Sequence, residues 1–176
     1  MSLLGTAIKG AALGAAAGAA GTLAMDAVWF SRYRRGGGTS SWWSWETAAG
    51  TSDYTDASAP AQTGATIVRA TLHRDPPPGS ARAMTNLVHW TTGVTWGAAY
   101  GKVTAIAGRD PHPIVGAAIL SPVVWGSSYV ALGLLGVYKP IWEYDVHTLW
   151  QDFSAHLAYG LTTAGTARAL RGLPPG

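Results

Sequence analysis

Four stretches of the chain are long, apolar and almost uncharged, and the polar connections between them are very unequal in length. They cover about residues 3–30, 84–107, 114–137 and 148–170. The first has an uncharged centre between Gly10 and Met25, and the third carries no charged residue at all. A helix needs about 20 residues to cross a hydrocarbon layer of roughly 30 Å, and each window is long enough. The pattern predicts an all-α fold: an integral membrane bundle of four transmembrane helices, with a long amphipathic loop between helices 1 and 2. Residues 31–83 form that interfacial loop, and 1–176 reads as a single membrane domain. The first window also has features of a signal sequence, since Lys9 precedes a run of small apolar residues. Lys9 sits deep behind an apolar start, which favours a retained helix.

The long connection has its own punctuation. Arg32, Tyr33, Arg34 and Arg35 end the first helix, and Gly36-Gly37-Gly38 breaks it. Trp42, Trp43 and Trp45 suit the lipid headgroup level as interfacial anchors. A short helix is expected over about 60–74, with Ile67, Val68 and Leu72 as its apolar side. Pro76-Pro77-Pro78 then delivers the chain stiffly to the second membrane helix. Connections at 108–113 and 138–147 are short, so helices two, three and four are antiparallel neighbours. Arg32, Arg34, Arg35 and Arg82 flank the long loop and favour a cytoplasmic loop with the termini outside; Lys9, Lys102, Arg109, Arg168 and Arg171 stand against them.

Composition agrees with a membrane chain. Charged residues make up 12% of the sequence, where a soluble domain carries about 25%. Ala, Gly, Ser, Thr and nine Trp take their place, a mixture suited to close-packed membrane helices with aromatic ends. The net charge of +3 comes from basic residues scattered beside apolar segments, which does not make a nucleic-acid-binding face. There is no cysteine, which excludes disulfides and thiolate metal sites.

Two glycine zippers are the clearest motifs: Gly10, Gly14 and Gly18 in helix one, and Gly93, Gly97 and Gly101 in helix two. A spacing of four aligns each set along one stripe, where missing side chains let another helix backbone approach. Packing inside the same bundle is the plainest use of them. The polar set is more informative. Asp26, Asn86, His89, Asp152 and His156 all fall in one leaflet if the helices alternate in direction, on the side of the long loop. At about 100° per residue, Asn86 and His89 share the face of Gly93 and Gly97, and Asp152, His156, Tyr159 and Thr163 form one stripe. Ionisable groups are costly in a bilayer, so a buried polar network is expected. It can serve as interhelical glue, as a proton or ion path, or as part of a haem or divalent-metal site at His89, His156 and Asp152. His147, His73 and His112 read as edge or loop residues. Gly36-Gly37-Gly38 precedes no phosphate-binding helix, and Ser121-Pro122 reads as a kink and not a nucleophile.

His89-Trp90-Thr91-Thr92-Gly93 through Tyr100-Gly101, with Asp152-Phe153-Ser154-Ala155-His156-Leu157, resembles the YagU-like bacterial inner-membrane family. That resemblance implies a small four-helix membrane protein with a long first loop and no established activity. Asp152 stands where the resemblance leads one to expect Glu, and the arrangement at Asn86 and His89 differs. The expected function is that of a structural or accessory subunit in the inner (plasma) membrane, multi-pass. Its partners would be the lipid bilayer and other membrane subunits or copies of itself, with no nucleic acid, no resident cofactor and no catalytic residue. A proton or ion transporter using the Asp/His network is the alternative. A metal- or haem-dependent membrane enzyme acting on a lipid or quinone comes third.

Overall fold

The structure, a computed structural model, describes residues 2–55, 57–109 and 111–172, and these form helices and no strand. The helices are α1 (Leu3–Arg35), α2 (Trp42–Glu46), α3 (Ala59–Leu72), α4 (Ala81–Ile106), α5 (Pro113–Leu134) and α6 (Val146–Gly172). Two of them, α1 and α5, are long and apolar enough to cross a membrane. The other long helices, α4 and α6, have 26 and 27 residues but are more polar, through residues such as His89, Thr91, Asp152 and His156. By contact the chain divides into two compact units. One comprises Met1–Trp29, Thr92–Gly126 and Val146–Gly176; the other comprises Phe30–Thr91 and Ser127–Asp145.

The first unit is built on small residues. A Cβ on Gly10 would lie 2.7 Å from the Gly101 carbonyl oxygen, and one on Gly18 would lie 2.5 Å from that of Gly93. Here α1 and α4 touch backbone to backbone. The contact of α1 with α6 is similar, since a Cβ on Gly21 would lie 2.8 Å from the Tyr159 carbonyl oxygen. Gly116 of α5 faces Tyr100 of α4 and Ala164 of α6, and Gly160 of α6 faces Ser121 and Ala117 of α5. Leu120, Val124 and Tyr159 are its larger buried side chains, with Met25, Trp96 and Tyr100 packed against them.

The second unit relies on rings and side-chain hydrogen bonds. Phe30 and Tyr33, from the last turns of α1, meet Trp42 and Trp45 of α2. Phe30 stands edge-on to Trp42, with ring centres 5.2 Å apart. Ser41 caps α2 by accepting from the Ser44 N–H at 3.2 Å. Tyr33 also fixes the exit from α1, donating its hydroxyl proton to Ser40 Oγ and accepting from the Ser40 N–H. Gly37 takes the left-handed conformation there, at φ +92°, which glycine adopts without a Cβ penalty. Arg82 and Asn86 of α4 both donate to the Thr47 carbonyl, each at 3.0 Å. Tyr129, Tyr138 and Tyr144 form a second ring cluster, with the Lys139 ammonium 4.6 Å from the centre of the Tyr144 ring.

Three details go beyond the pattern-based reading. First, α1 runs to Arg35, five residues beyond the apolar window. Arginine is a good helix former, and cations near a helix C-terminus offset its dipole. Second, residues 42–46 form a short helix inside the segment expected to be the long amphipathic loop. Third, the face of α3 packed inward is not the Ile67, Val68, Leu72 side. Ala61, Thr63, Gly64 and Ala65 are buried, while Ile67 and Leu72 are 47% and 55% exposed. Gly64 lies against Met84 and Val88 of α4, so the close approach selects the small residues and leaves the large ones outside.

Candidate functional site

Packing within the first unit brings polar groups between small-residue contacts. Tyr159, 1% exposed, donates its hydroxyl proton to the Gly93 carbonyl oxygen at 2.6 Å. That bond reaches from α6 to α4 at the glycine stripe. Thr22 is fully buried over Gly93 and satisfies its own hydroxyl by donating to the Gly18 carbonyl at 2.9 Å. Ser121 and Thr163 are also fully buried. The Ser121 hydroxyl sits over Gly160 and has no hydrogen-bond partner among the described residues.

Of the five polar residues singled out above, three lie in the first unit. Asp26 is buried, at 4% exposure. Asp152 and His156 lie one turn apart on α6, with 3.5 Å between His156 Nδ1 and a carboxylate oxygen of Asp152; their side chains are 12% and 18% exposed for His156 and Asp152. His156 Nδ1 lies closer still, at 2.9 Å, to the Asp152 main-chain carbonyl. A carbonyl only accepts, so in this contact Nδ1 is the donor and Nε2 is left as the acceptor nitrogen. Asn86 and His89 lie in the second unit. The Asn86 amide donates to the Thr47 and Arg82 carbonyls, and the His89 ring stands edge-on to Trp90.

The glycines and tryptophans are more directly placed. Gly10, Gly14 and Gly18 of α1 meet Gly101, Gly97 and Gly93 of α4 in antiparallel register, with Gly14 against the Gly97 carbonyl. Trp42 and Trp45 pack under Phe30 and Tyr33, whereas Trp43 points outward at 73% exposure. Sequence spacing does not reveal Gly21, Gly116 and Gly160, each of which takes the close approach of a neighbouring helix without belonging to a repeat. Thr22 was equally hidden, because a single hydroxyl residue in an apolar window carries no periodic signal, and Ser121 stood out only through the proline that follows it.

Chemically, the site offers one acid–imidazole pair, one buried carboxyl residue and several buried hydroxyls. No group of three or more His, Cys, Asp or Glu side chains able to hold a metal ion occurs among the described residues. No protein-family model, curated protein or solved structure matches the chain.

Proposed function

We propose that this chain is a multi-pass protein of the inner (plasma) membrane, in which α1, α4, α5 and α6 form a four-helix bundle closed by two facing glycine zippers. It serves there as a structural or accessory subunit, packing against a larger membrane assembly or against copies of itself. One observation carries the reading: residue size is inverted relative to a water-soluble core. The fully or almost fully buried apolar residues include Ala17, Ala117, Ala155, Ala164 and Ala167, whereas Ile114, Ile119, Val103, Val123 and Leu161 are between 43% and 65% exposed. Burying a large aliphatic side chain is worth about 1.5–3 kcal/mol in water, and large exposed apolar patches mark contact surfaces. In lipid the outward residues cost nothing, and small inward residues gain from backbone contact. The resemblance to the YagU-like family fits the same proposal.

The loop belongs to this picture as a membrane-surface segment. Exposed Ile67, Leu72 and Trp43 give it apolar contact, and Arg32, Arg34 and Arg35 close α1 beside it. The first test is topology. With four crossings, labels at Ser2→Cys and Gly176→Cys show the same accessibility to an impermeant thiol reagent, opposite to Thr51→Cys; differing termini contradict the count. The subunit role is tested by native mass spectrometry of protein from its own membranes. A defined partner or homo-oligomer is expected, and a lone monomer at every protein concentration contradicts it.

The Asp152–His156 pair favours a second reading, proton or ion passage, because an acid beside an imidazole in a mostly buried position can exchange a proton with it. In that case Asp152→Asn abolishes a pH-driven flux in proteoliposomes while leaving the protein folded. If the pair is structural, the amide still hydrogen-bonds and both folding and partner binding persist.

A further inference from the structure

At the end of the first unit where α1 begins and α4 and α6 finish, an open cleft of about 430 Å³ gathers cations from three parts of the chain. Lys9 comes from α1, Arg109 from the turn after α4, and Arg171 from the last turn of α6. No carboxylate is among the described residues lining it; Asp110, next in the chain, lies outside the described residues. Thr6 and Thr104 contribute hydroxyls, and Leu13 gives part of an apolar wall.

The chain is shaped to bring these groups together. Gly108 takes φ +59°, and the Arg109 N–H turns back to the Thr104 carbonyl at 3.0 Å, which folds Arg109 over the end of α4. Arg171 Nη1 donates to Thr104 Oγ1 at 2.8 Å. Thr104 in turn donates to the Tyr100 carbonyl at 2.9 Å, so its oxygen is oriented to accept. Cations at helix C-termini offset the dipole, which accounts for Arg109 and Arg171. It does not account for Lys9, which sits near the start of α1. Three basic side chains lining one cleft suit an anionic ligand. A guanidinium matches a phosphate through paired N–H donors, and an ammonium adds a point charge.

The surroundings choose between carriers of that phosphate. Leu3, Leu4 and Ile8 on α1 are 69%, 70% and 61% exposed, and Val103 and Ile106 on α4 are 65% and 45% exposed. These are sequence neighbours of Lys9 and Thr104, and a soluble phosphate compound has no use for them, whereas an acyl chain does. We infer that the cleft binds the phosphate of an anionic phospholipid headgroup, with Lys9, Arg109 and Arg171 as its ligands. The lipid as carrier rests on the membrane reading above; phosphate recognition does not.

The test uses the full chain in nanodiscs holding phosphatidylcholine and phosphatidylglycerol in equal parts, with retained lipid read by native mass spectrometry. Phosphatidylglycerol is expected to be enriched roughly fivefold to thirtyfold, the scale of one or two basic contacts with an anionic headgroup. The variant Lys9→Gln/Arg109→Gln leaves the Arg171–Thr104 bond in place, keeps the melting temperature and brings the enrichment close to parity. Arg34→Gln/Arg35→Gln, at the other end of α1, keeps it. A second arm titrates inorganic phosphate into detergent-solubilised protein and follows hydrogen exchange at residues 6–10 and 104–109. Protection that the variant loses, without retained lipid, supports phosphate recognition and assigns a soluble phosphate as the source. If the protein does not enter bilayers but phosphate still protects these amides, the membrane reading fails and the cleft stands. Bilayer entry with no headgroup preference and no phosphate protection, or equal enrichment in the variant, overturns the inference.

Discussion

Helix α1 takes part in two kinds of packing. In the first unit its residues Gly14 and Gly18 come against Gly97 and Gly93 with no side chain between them. In the second unit its last turns present Phe30 and Tyr33 to Trp42 and Trp45, ring to ring. Backbone-to-backbone contact needs the right residue at every fourth position and forgives no added atom. Ring packing is tolerant of small shifts and brings polar handles that bond to loop backbone, as Tyr33 does with Ser40. The first kind suits a surrounding that gives no hydrophobic drive for helices to associate, where close contact has to do the work. The second suits a boundary where one end of a side chain is apolar and the other is wet. One continuous helix thus takes part in both kinds of packing, and its 33 residues, about 50 Å at 1.5 Å per residue, exceed the roughly 30 Å of a hydrocarbon layer.

The sharpest way to break this contrast is to add bulk to the glycine stripe. Gly14→Leu or Gly97→Leu is expected to lower stability by about 3 kcal/mol or more, because even the Cβ meets backbone. Leu161→Ala, on an exposed position, changes stability by less than about 0.5 kcal/mol. Thermal unfolding in detergent compares the two directly, and equal tolerance would show that the stripe is not a tight contact. Phe30→Ala is next in size, at about 3 kcal/mol or somewhat less, since it removes a half-buried ring from both tryptophans. Its signature is regional: tryptophan emission and proteolysis of the loop change before the melting of the rest does.

Smaller effects sharpen the comparison further. Tyr159→Phe deletes the bond to the Gly93 carbonyl without changing shape, and about 1 kcal/mol is expected by thermal unfolding. Asn86→Ala removes the donor to the Thr47 and Arg82 carbonyls, and about 0.5–1 kcal/mol is expected, read most clearly as faster hydrogen exchange around Thr47. If Asn86→Ala cost more than Gly14→Leu, the second unit and not the glycine contact would be the stronger determinant.

Much of the helical layout is legible in the pattern, because an uninterrupted apolar window of twenty or more residues has few other outcomes. At the end of α1 the break expected at Gly36-Gly37-Gly38 falls where Gly37 adopts positive φ, so the helix outlasts its apolar window by the arginine turn. Five residues such as Trp42–Glu46 are too short for periodicity, and only the Ser41 cap announces the helix. The inward face of α3 was not foreseen, for an instructive reason. Hydrophobicity points to Ile67 and Leu72, but contact is decided by who can come closest, and that is Gly64 with Ala61 and Ala65. Among the polar residues, helix geometry relates Asp152 to His156 from spacing alone. It does not foresee that the Asn86 amide is drawn to a loop carbonyl 39 residues away, because nothing local encodes where Thr47 will be.

What surrounds the outward-facing aliphatics decides whether the fold belongs in a membrane. Site-directed spin labels at Val103, Ile119, Val123 and Leu161 in proteoliposomes, with collision rates measured for oxygen and for a water-soluble nickel chelate, read that surrounding directly. Labels at these positions are expected to collide freely with oxygen and hardly at all with the chelate, while labels at Gly37 and Gly79 show the reverse. Ready collision of the chelate with labels at all four aliphatic positions would place them in water and contradict the membrane reading of the fold.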